Sequence, residues 1–247
     1  MDGPLPPVEV QVRWVVPDDD LAARGLALLD AREREREALF QHPGARQGFL
    51  VGRWLVRTTL GERLGRPAEA LRFVHNRWGA PRLDPAAGDG RLRFNLSHTH
   101  GLVALAVVGE GVEVGVDVEL TERRSRTVEI ADRFFAPAEV EALRRLPAER
   151  RRDRFFDYWT LKEAYIKARG MGLAIPLARF AFEVDADPIQ IRLDPALGDV
   201  AARWRFDRWD VTPHHRIALA VASGRRAVRI CEAGGAARLR DMWHGER

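Results

Sequence analysis

The stretch Val112-Glu113-Val114-Gly115-Val116-Asp117-Val118-Glu119-Leu120 alternates apolar and polar residues more regularly than any other part of the chain. Successive side chains of a β-strand point to opposite faces, so this pattern predicts a strand with one apolar face. The apolar face fixes the register, because a slip by one residue would expose every valine. Asp117 and Glu119 therefore leave the same outward face, with Cβ atoms roughly 6–7 Å apart.

The segments on both sides of this strand predict two similar halves. Before it, the patterns indicate strands at residues 8–16, 92–96 and 102–108, and helices after residue 18, at 30–40 and at 48–64. After it, they indicate helices at residues 129–135, 138–146 and 150–169, and strands at 180–184, 189–193, 204–211 and 217–222. Each half opens with a strand, continues through helices and closes on paired strands. We therefore predict an α+β fold of two similar halves, residues 1–112 and 113–247.

Composition restricts the function classes. The chain has 247 residues, of which 46% are hydrophobic and 31% charged, as in soluble globular proteins. The longest apolar run, residues 102–108, is far shorter than the roughly 20 residues that span a bilayer. The first residues lack the pattern of a secretory signal, and the single cysteine, Cys231, excludes an intramolecular disulfide or a thiolate zinc cluster. We expect a cytoplasmic protein without a membrane partner.

Nearly all of the basic residues are arginines. The formal net charge is +4, and lysine occurs only at Lys162 and Lys167, so arginine supplies the rest of the 40 basic residues. A coding bias that replaced lysine almost everywhere explains this composition; an alternative interpretation is that the two remaining lysines occupy positions where a compact ammonium is not exchangeable for a guanidinium. The sequence pI of about 9.9 suits an acidic partner: a nucleic acid, an acidic protein or a phosphorylated ligand.

The predicted helix at residues 150–169 carries the second group of polar residues. Its spacing places Trp159, Glu163 and Lys167 on one face. Glu163 and Lys167 alone are also typical of an ordinary stabilising pair, and Asp117 and Glu119 alone are typical of a solvent-facing strand. Together they offer three acids and an ammonium, and oxygen ligands without cysteine favour Mg²⁺ or Mn²⁺. Such a set could hold a metal-bound pyrophosphate, with the lysine neutralising the leaving oxygen.

Two further segments carry polar groups. In Phe94-Asn95-Leu96-Ser97-His98, Asn95 and Ser97 share a face and His98 enters the following turn. Residues 75–82 combine a tight turn with two arginines and a tryptophan, which could hold phosphate and stack a base.

These segments, in this order, resemble the surfactin-type 4'-phosphopantetheinyl transferases. The resemblance covers about residues 30–185 and rests on three segments, 94–98, 115–119 and 159–173, with Arg133-Phe134-Phe135 and Glu139 between them. It implies a pseudo-dimeric α+β fold with coenzyme A between the halves. It also implies transfer of the phosphopantetheine arm of coenzyme A to a serine of an acidic apo acyl or peptidyl carrier protein, with release of adenosine 3',5'-bisphosphate.

The resemblance also implies a role for each matching residue. Metal ligands would be Asp117, Glu119 and Glu163, holding Mg²⁺ (or Mn²⁺) on the pyrophosphate. Catalytic residues would be Glu163, which takes the serine proton directly or through a water on the metal, and Lys167, which stabilises the leaving phosphate. Contacts to coenzyme A would come from Arg36, Arg77, Asn95, Ser97, His98, Lys162 and Lys167. The first half would hold the nucleotide end and the second half the metal.

Two positions depart from the family pattern. Ala80 stands where the family usually has a lysine, so Arg77 or Arg82 is expected to supply the charge, and Glu33 stands where relatives are often basic. A magnesium nuclease and a basic nucleic-acid-binding module remain alternatives at this point. The transferase interpretation predicts a monomer without a nucleic-acid partner.

Overall fold

A computed structural model describes residues 6–87, 90–109, 111–122, 127–224, 226–233 and 239–242. The strands are β1 (Val8–Val15), β2 (Phe73–His75), β3 (Pro81–Leu83), β4 (Leu92–Thr99), β5 (Leu102–Gly109), β6 (Val114–Leu120), β7 (Phe180–Glu183), β8 (Gln190–Leu193), β9 (Arg205–Thr212), β10 (His215–Val221), β11 (Val228–Ala233) and β12 (Leu239–Met242). The helices are α1 (Asp19–Leu28), α2 (Ala31–Ala38), α3 (Pro43–Leu64), α4 (Thr127–Phe134), α5 (Pro137–Arg145) and α6 (Ala148–Ala168).

The two larger sheets repeat one arrangement. In the first sheet β1 lies beside β5, and β5 beside β4; in the second, β6 lies beside β10, and β10 beside β9. In both, the strand that opens the half pairs antiparallel with the second arm of a later hairpin. The predicted α+β fold of two similar units is confirmed.

Three apolar cores hold these layers together. The sheets face each other across a core in which Val10, Ala106, Val116 and Leu219 are inaccessible to solvent. Helices α1 and α3 cover the outer face of the first sheet, and α4 to α6 cover the outer face of the second. The strand β5 contributes to two of these cores, which explains why residues 102–108 form an uninterrupted apolar run.

The sheets do not divide where the halves were predicted to divide. Residue 112 falls in the connection between β5 and β6, but β11 returns to the first sheet and pairs in parallel with β1, Val8 opposite Val228. Its partner β12 extends the same edge. The strands β11 and β12 therefore belong structurally with the first half, although they follow the second sheet in the chain.

Most helix ends lie close to their predicted positions. Asp18 and Asp30 cap α1 and α2 through their side chains. The helix α3 begins at Pro43, five residues before its predicted start, because proline is favoured in the first helical turn. None of the described helices is both long and apolar enough to cross a membrane.

Candidate active site

A glycine brings β6 and α6 into direct backbone contact. A Cβ atom built on Gly115 would lie 2.0 Å from the carbonyl oxygen of Ala164 and 2.5 Å from the amide nitrogen of Ala168. Any larger residue would push the helix away from the strand. This close approach places the acids that follow Gly115 in β6 beside the polar face of α6.

Asp117 and Lys167 meet in the resulting cleft. Lys167 Nζ lies 2.5 Å from Asp117 Oδ1, and Ser97 of β4 contacts both, donating to Asp117 Oδ1 at 2.9 Å and accepting from Lys167 Nζ at 2.8 Å. The Asp117 side chain is only 4% exposed, whereas that of Lys167 is 27% exposed. The other carboxylate oxygen, Asp117 Oδ2, is buried and has no hydrogen-bond partner among the described residues.

Glu163 lies one helical turn before Lys167, on the same face of α6. Its pKa is raised to about 7, mainly by burial and further by the negative charge of Asp117, while Lys167 opposes the shift. The second strand acid, Glu119, accepts a hydrogen bond from Trp159 Nε1 at 3.0 Å. The helix therefore presents its predicted face, Trp159, Glu163 and Lys167, to the two acids of β6.

The oxygen donors suit a hard cation. Nowhere in the described residues are three Asp, Glu, His or Cys side chains gathered closely enough to enclose a metal ion. The unpartnered Asp117 Oδ2 nevertheless marks a buried position that a cation would satisfy, beside a second acid, Glu163, whose charge that burial disfavours. Carboxylates without sulfur or nitrogen ligands fit Mg²⁺.

Side chains of β4 connect the edges of the two sheets. The N–H of Val116 donates to Asn95 Oδ1 at 2.9 Å, and the N–H of Val118 donates to Ser97 Oγ at 3.3 Å. These N–H groups belong to the edge of β6 that β10 leaves unpaired. Asn95 and Ser97 thus join the halves through their side-chain oxygens, and their predicted contacts to coenzyme A stay a prediction.

A cavity of about 450 Å³ opens between α2, α3 and the β2–β3 turn. Its lining includes Arg32, Arg36, Arg53, Arg77 and His75. The Nε of Arg53 is buried and has no partner among the described residues. Arg36 and Arg77, the two arginines predicted to contact coenzyme A, thus line this cavity. Four arginines around one cavity suit a phosphorylated ligand.

His98 lies between this cavity and the acidic cleft. Desolvation lowers its pKa, and the positive charges of Lys167, Arg36 and Arg53 lower it further. Its ring also lies against α3, where a Cβ atom on Gly48 would come within 3.1 Å of His98 Cδ2. A neutral imidazole at this point can donate one hydrogen bond to a ligand that bridges the two sites.

Sequence comparisons agree with this geometry. A profile of the 4'-phosphopantetheinyl transferase superfamily matches residues 113–222. The chain is 39% identical over 168 residues to the 4'-phosphopantetheinyl transferase HetI of a Nostoc species, covering 65% of this chain and 69% of the relative. It is 31% identical over 164 residues to a 4'-phosphopantetheinyl transferase of Bacillus subtilis, covering 66% and 70% respectively. The chain belongs to the 4'-phosphopantetheinyl transferase superfamily.

A longer match extends the similarity over most of the transferase. The chain is 32% identical over 251 residues to a phosphopantetheinyl transferase of a Thraustochytrium species, covering 91% of this chain and 84% of the relative. The protein is therefore an enzyme that transfers 4'-phosphopantetheine to carrier proteins, and members of its family generally use Mg²⁺ and coenzyme A. Family membership decides against the nuclease and the nucleic-acid-binding module.

The structure corrects the expected role of Lys162 in the transferase. This lysine is completely buried, and its Nζ donates to the carbonyl oxygens of Leu177 and Phe180 at 2.8 and 2.6 Å and pairs with Glu139 at 2.7 Å. Lys162 cannot contact a phosphate in the cleft, because it lies on the far side of α6 from it. Five positions along a helix correspond to a rotation of about 140°, so helical spacing alone could have separated Lys162 from Lys167.

The two departures from the family pattern have structural explanations. Glu33 caps α2 together with Asp30 and accepts a hydrogen bond from the buried Arg57 at 2.6 Å, so it anchors the helix that carries Arg36. Of the two arginines expected to compensate for Ala80, Arg77 lines the cavity, whereas Arg82 is exposed on β3 and is not part of the lining.

One connection across the cleft was not predicted from the sequence. Asn76 Nδ2 donates to the carbonyl oxygen of Gly170 at 2.7 Å, and Asn76 Oδ1 accepts from the N–H groups of Trp78 and Ala80, both at 2.9 Å. The turn that carries Arg77 is thereby tied to the end of α6. The N-x-x-G pattern of residues 76–79 signals a turn, but not its distant partner.

Proposed function

We propose that the transferase takes its 4'-phosphopantetheine arm from coenzyme A and attaches it to a serine of an apo acyl or peptidyl carrier protein. The observation that carries this proposal is the cleft in which Asp117 contacts Lys167, while its Oδ2, beside Glu163, has no partner among the residues that the structure describes. The adjoining cavity lined by Arg36 and Arg77 supports the proposal, since it would accept the nucleotide end of coenzyme A.

Asp117, Glu119 and Glu163 would hold Mg²⁺, or Mn²⁺ in its place. When bound, the ion would neutralise the pyrophosphate of coenzyme A and make its phosphorus easier to attack. Trp159 supports this arrangement by holding one oxygen of Glu119. A cation would also favour the charged form of Glu163, whose pKa is raised by burial and by Asp117.

Glu163 is the proposed base. A carboxylate with a pKa near neutrality can accept the proton of a serine hydroxyl, either directly or through one water. The serine oxygen then bonds to the phosphorus that carries the pantetheine arm, and the bond from this phosphorus to the nucleotide phosphate breaks. The proton resides on Glu163, and adenosine 3',5'-bisphosphate leaves with the electron pair.

Lys167 would stabilise the leaving phosphate. Two of its three N–H donors contact Asp117 and Ser97, and the third has no partner in the described part of the chain. A free donor on a partly exposed ammonium can follow the negative charge that develops on the bridging oxygen. Arg36, Arg77 and His98 would bind the nucleotide end, since the arginines line the cavity and His98 lies beside it.

The carrier protein is expected to be acidic and to meet an arginine-rich surface at the start of α6. Arg144, Arg145 and Arg150 are exposed there. Arg151 instead donates to the carbonyl oxygens of Leu146 and Arg144, so it secures the end of α5. We predict that Arg150→Glu lowers kcat/KM for the carrier several-fold at low salt, with the difference disappearing at high salt. Equal rates at low salt would contradict this steering.

The reaction is proposed to take place in the cytoplasm and in a monomer. A single cysteine is compatible with a reducing compartment. Acids from β6 and basic groups from α6, α2 and β4 all come from one chain, so the site needs no second copy.

The decisive experiment combines the protein with coenzyme A, Mg²⁺ and an apo carrier, and weighs the carrier by mass spectrometry. We expect the mass of phosphopantetheine to be added, a carrier with its serine changed to alanine to gain nothing, and Glu163→Gln to be slower on the order of 10²-fold. Glu35→Gln, an exposed glutamate on α2, is the matched control. A parent protein that modifies neither acyl nor peptidyl carriers would overturn the proposal.

A further inference from the structure

The ring of Phe49 contacts two of the arginines that line the cavity between α2, α3 and the β2–β3 turn. The guanidinium carbon of Arg36 lies 5.5 Å from the centroid of this ring, and that of Arg53 lies 5.7 Å from it. A cation over an aromatic face within about 6 Å of the centroid is attracted by the quadrupole of the ring. Phe49 also lines the cavity and is only 7% exposed. One buried ring thus attracts two cations at the same cavity.

The two arginines reach this ring from different helices. Arg36 belongs to the last turn of α2, whereas Arg53 lies one turn after Phe49 on the same face of α3. The ring is itself held by Phe40, whose ring centroid lies 5.2 Å away, and by the apolar core that α1 and α3 form with the first sheet. Phe49 is therefore a fixed point between α2 and α3.

The guanidinium groups of these arginines keep most of their hydrogen-bonding capacity. Arg36 is exposed, and it makes no hydrogen bond or ion pair with the residues that the structure describes. Arg53 pairs with Glu33 at 3.4 Å, but its buried Nε has no partner in the described part of the chain. A contact with a ring face uses none of the N–H donors, so these donors stay available for a ligand.

Positive charge is crowded at this position. Burial lowers the pKa of Arg53, while Glu33 opposes the shift. The positive charges of Arg57 and Arg36 lower this pKa further. Repulsion between Arg36 and Arg53 favours conformations in which the two side chains separate. The negative face of the Phe49 ring opposes this separation without adding a carboxylate, which would occupy the donors that a phosphate needs.

We propose that Phe49 is a positioning residue of the transferase: its ring holds the guanidinium groups of Arg36 and Arg53 toward the cavity, where they bind a phosphate of the nucleotide end of coenzyme A. The inference rests on the proposed function, under which this end of coenzyme A enters the cavity. A ligand that meets ordered side chains does not lose the free energy of ordering them, so the ring acts on affinity. Its loss should raise the KM for coenzyme A and leave kcat unchanged.

The test compares Phe49→Leu with the parent protein in two measurements. In transfer, we expect the KM for coenzyme A to rise roughly three- to tenfold, the size of effect typical of one or two cation–π contacts, and kcat to stay within about twofold. In calorimetry without carrier or metal, the Kd for adenosine 3',5'-bisphosphate should rise by a similar factor, because this molecule presents the nucleotide end alone. Phe49→Tyr, which keeps the ring, should restore both values.

A second variant separates the charge distribution of the ring from its volume, and it also serves if Phe49→Leu does not fold. Pentafluorophenylalanine at position 49 keeps the shape of the side chain, but its fluorines make the ring face positive, so it no longer attracts a cation. We expect the same rise in the Kd for adenosine 3',5'-bisphosphate, with a parental Tm.

Phe182→Leu is the matched control. Phe182 is 4% exposed and packs against the ring of Phe206 in the core of the second sheet, and no cation lies over its ring among the described residues. The same chemical change there should leave the KM for coenzyme A and the Kd for adenosine 3',5'-bisphosphate at the parental values.

A double-mutant cycle tests whether the ring acts through Arg36. With Arg36→Met already present, Phe49→Leu has one cation fewer to release, so its effect on the Kd should be smaller than in the parent background. An equal effect in both backgrounds would show that the ring does not hold Arg36, and it would overturn the inference.

Two other results would also overturn it. A parental KM and Kd in Phe49→Leu, with or without a lower Tm, would make Phe49 a residue of the core only. A raised Kd in Phe49→Leu with a parental Kd in the pentafluorophenylalanine variant would mean that the ring contacts the nucleotide by its shape. Failure of the proposed function would differ from all of these, since the parent itself would then transfer nothing.

Discussion

Lys162 and Lys167 lie five residues apart on α6, and each contacts a buried carboxylate. Lys162 uses all three N–H donors on Glu139, Leu177 and Phe180, and it is completely buried. Within the described residues, Lys167 uses two donors and contacts an aspartate whose second oxygen has no partner, and it is 27% exposed. The first pair is complete without a ligand and the second is not. Unfilled hydrogen-bonding capacity, more than the presence of an ion pair, therefore distinguishes the site from the core.

The largest expected effect is a loss of stability when the buried pair of Lys162 and Glu139 is broken. Lys162→Met leaves the Glu139 carboxylate buried without its cation, which should lower the free energy of unfolding by about 3–5 kcal/mol. Urea denaturation measures this loss. The double variant Lys162→Met with Glu139→Gln removes the unpaired charge as well and should recover part of it. A loss below about 1 kcal/mol would show that the pair is not needed for the core.

Substitution of Lys167, which contacts Asp117, should instead lower the rate of transfer. Lys167→Met removes the donor proposed for the leaving phosphate, so we expect kcat to fall on the order of 10²–10³-fold. Lys167→Arg keeps the charge but spreads its donors over a planar fork, and it too should lose most turnover. If Lys167→Arg turns over at the parental rate, Lys167 forms only an ion pair and has no part in transfer. Circular dichroism checks that both variants keep their fold.

A third prediction uses the raised pKa of Glu163 in metal-free protein. Its folded pKa of about 7 exceeds the value of about 4.3 expected in the unfolded chain. Between these values the folded state binds more protons, so stability falls as pH rises. With a chelator present, Glu163→Gln should be more stable than the parent by roughly 1–2 kcal/mol at pH 8, discounted for its partial exposure.

The pH dependence provides the control for this prediction. At pH 5 the advantage of Glu163→Gln should shrink to a few tenths of a kcal/mol, because the parent side chain is then largely protonated in the folded state. Glu35→Gln, at an exposed position of α2, should show no such change between the two pH values. An advantage that is equal at pH 5 and pH 8 would contradict the raised pKa.

The smallest effect is expected at the connection between Asn76 and Gly170. Asn76→Asp keeps the oxygen that accepts from Trp78 and Ala80 but loses the donor to Gly170. We expect the KM for coenzyme A to rise about three- to tenfold, the cost of one hydrogen bond, since the turn carrying Arg77 is no longer tied to α6. Initial rates over a coenzyme A series measure this. A parental KM would mean that the turn holds its position alone.

Local patterns predicted the elements that carry the site. The alternation of Val114 to Leu120 and the spacing of Trp159, Glu163 and Lys167 each encode a direction relative to the backbone, so they placed acids and ammonium on facing surfaces. The role of Lys162 was misjudged because the carbonyl oxygens of Leu177 and Phe180, which it meets, leave no mark in sequence.

Contacts between segments far apart in the chain could not be predicted from local sequence patterns. The bonds from Asn95 and Ser97 to the edge of β6 require that two sheets approach edge to edge, which no local pattern encodes. The strand β11 was also not predicted: only Val228 and Ile230 alternate clearly, and its pairing partner β1 lies more than 200 residues away. Such pairings depend on the whole topology.

The return of β11 to β1 has a consequence for synthesis of the protein. A ribosome releases the N-terminal residues first, and domains generally fold in that order. Here β1 pairs with β5 on one side but stays an edge strand on the other until Val228 to Ala233 have emerged, so the first sheet is completed only after the second half has been translated. Cutting the chain between the halves would therefore leave the first sheet without β11 and β12.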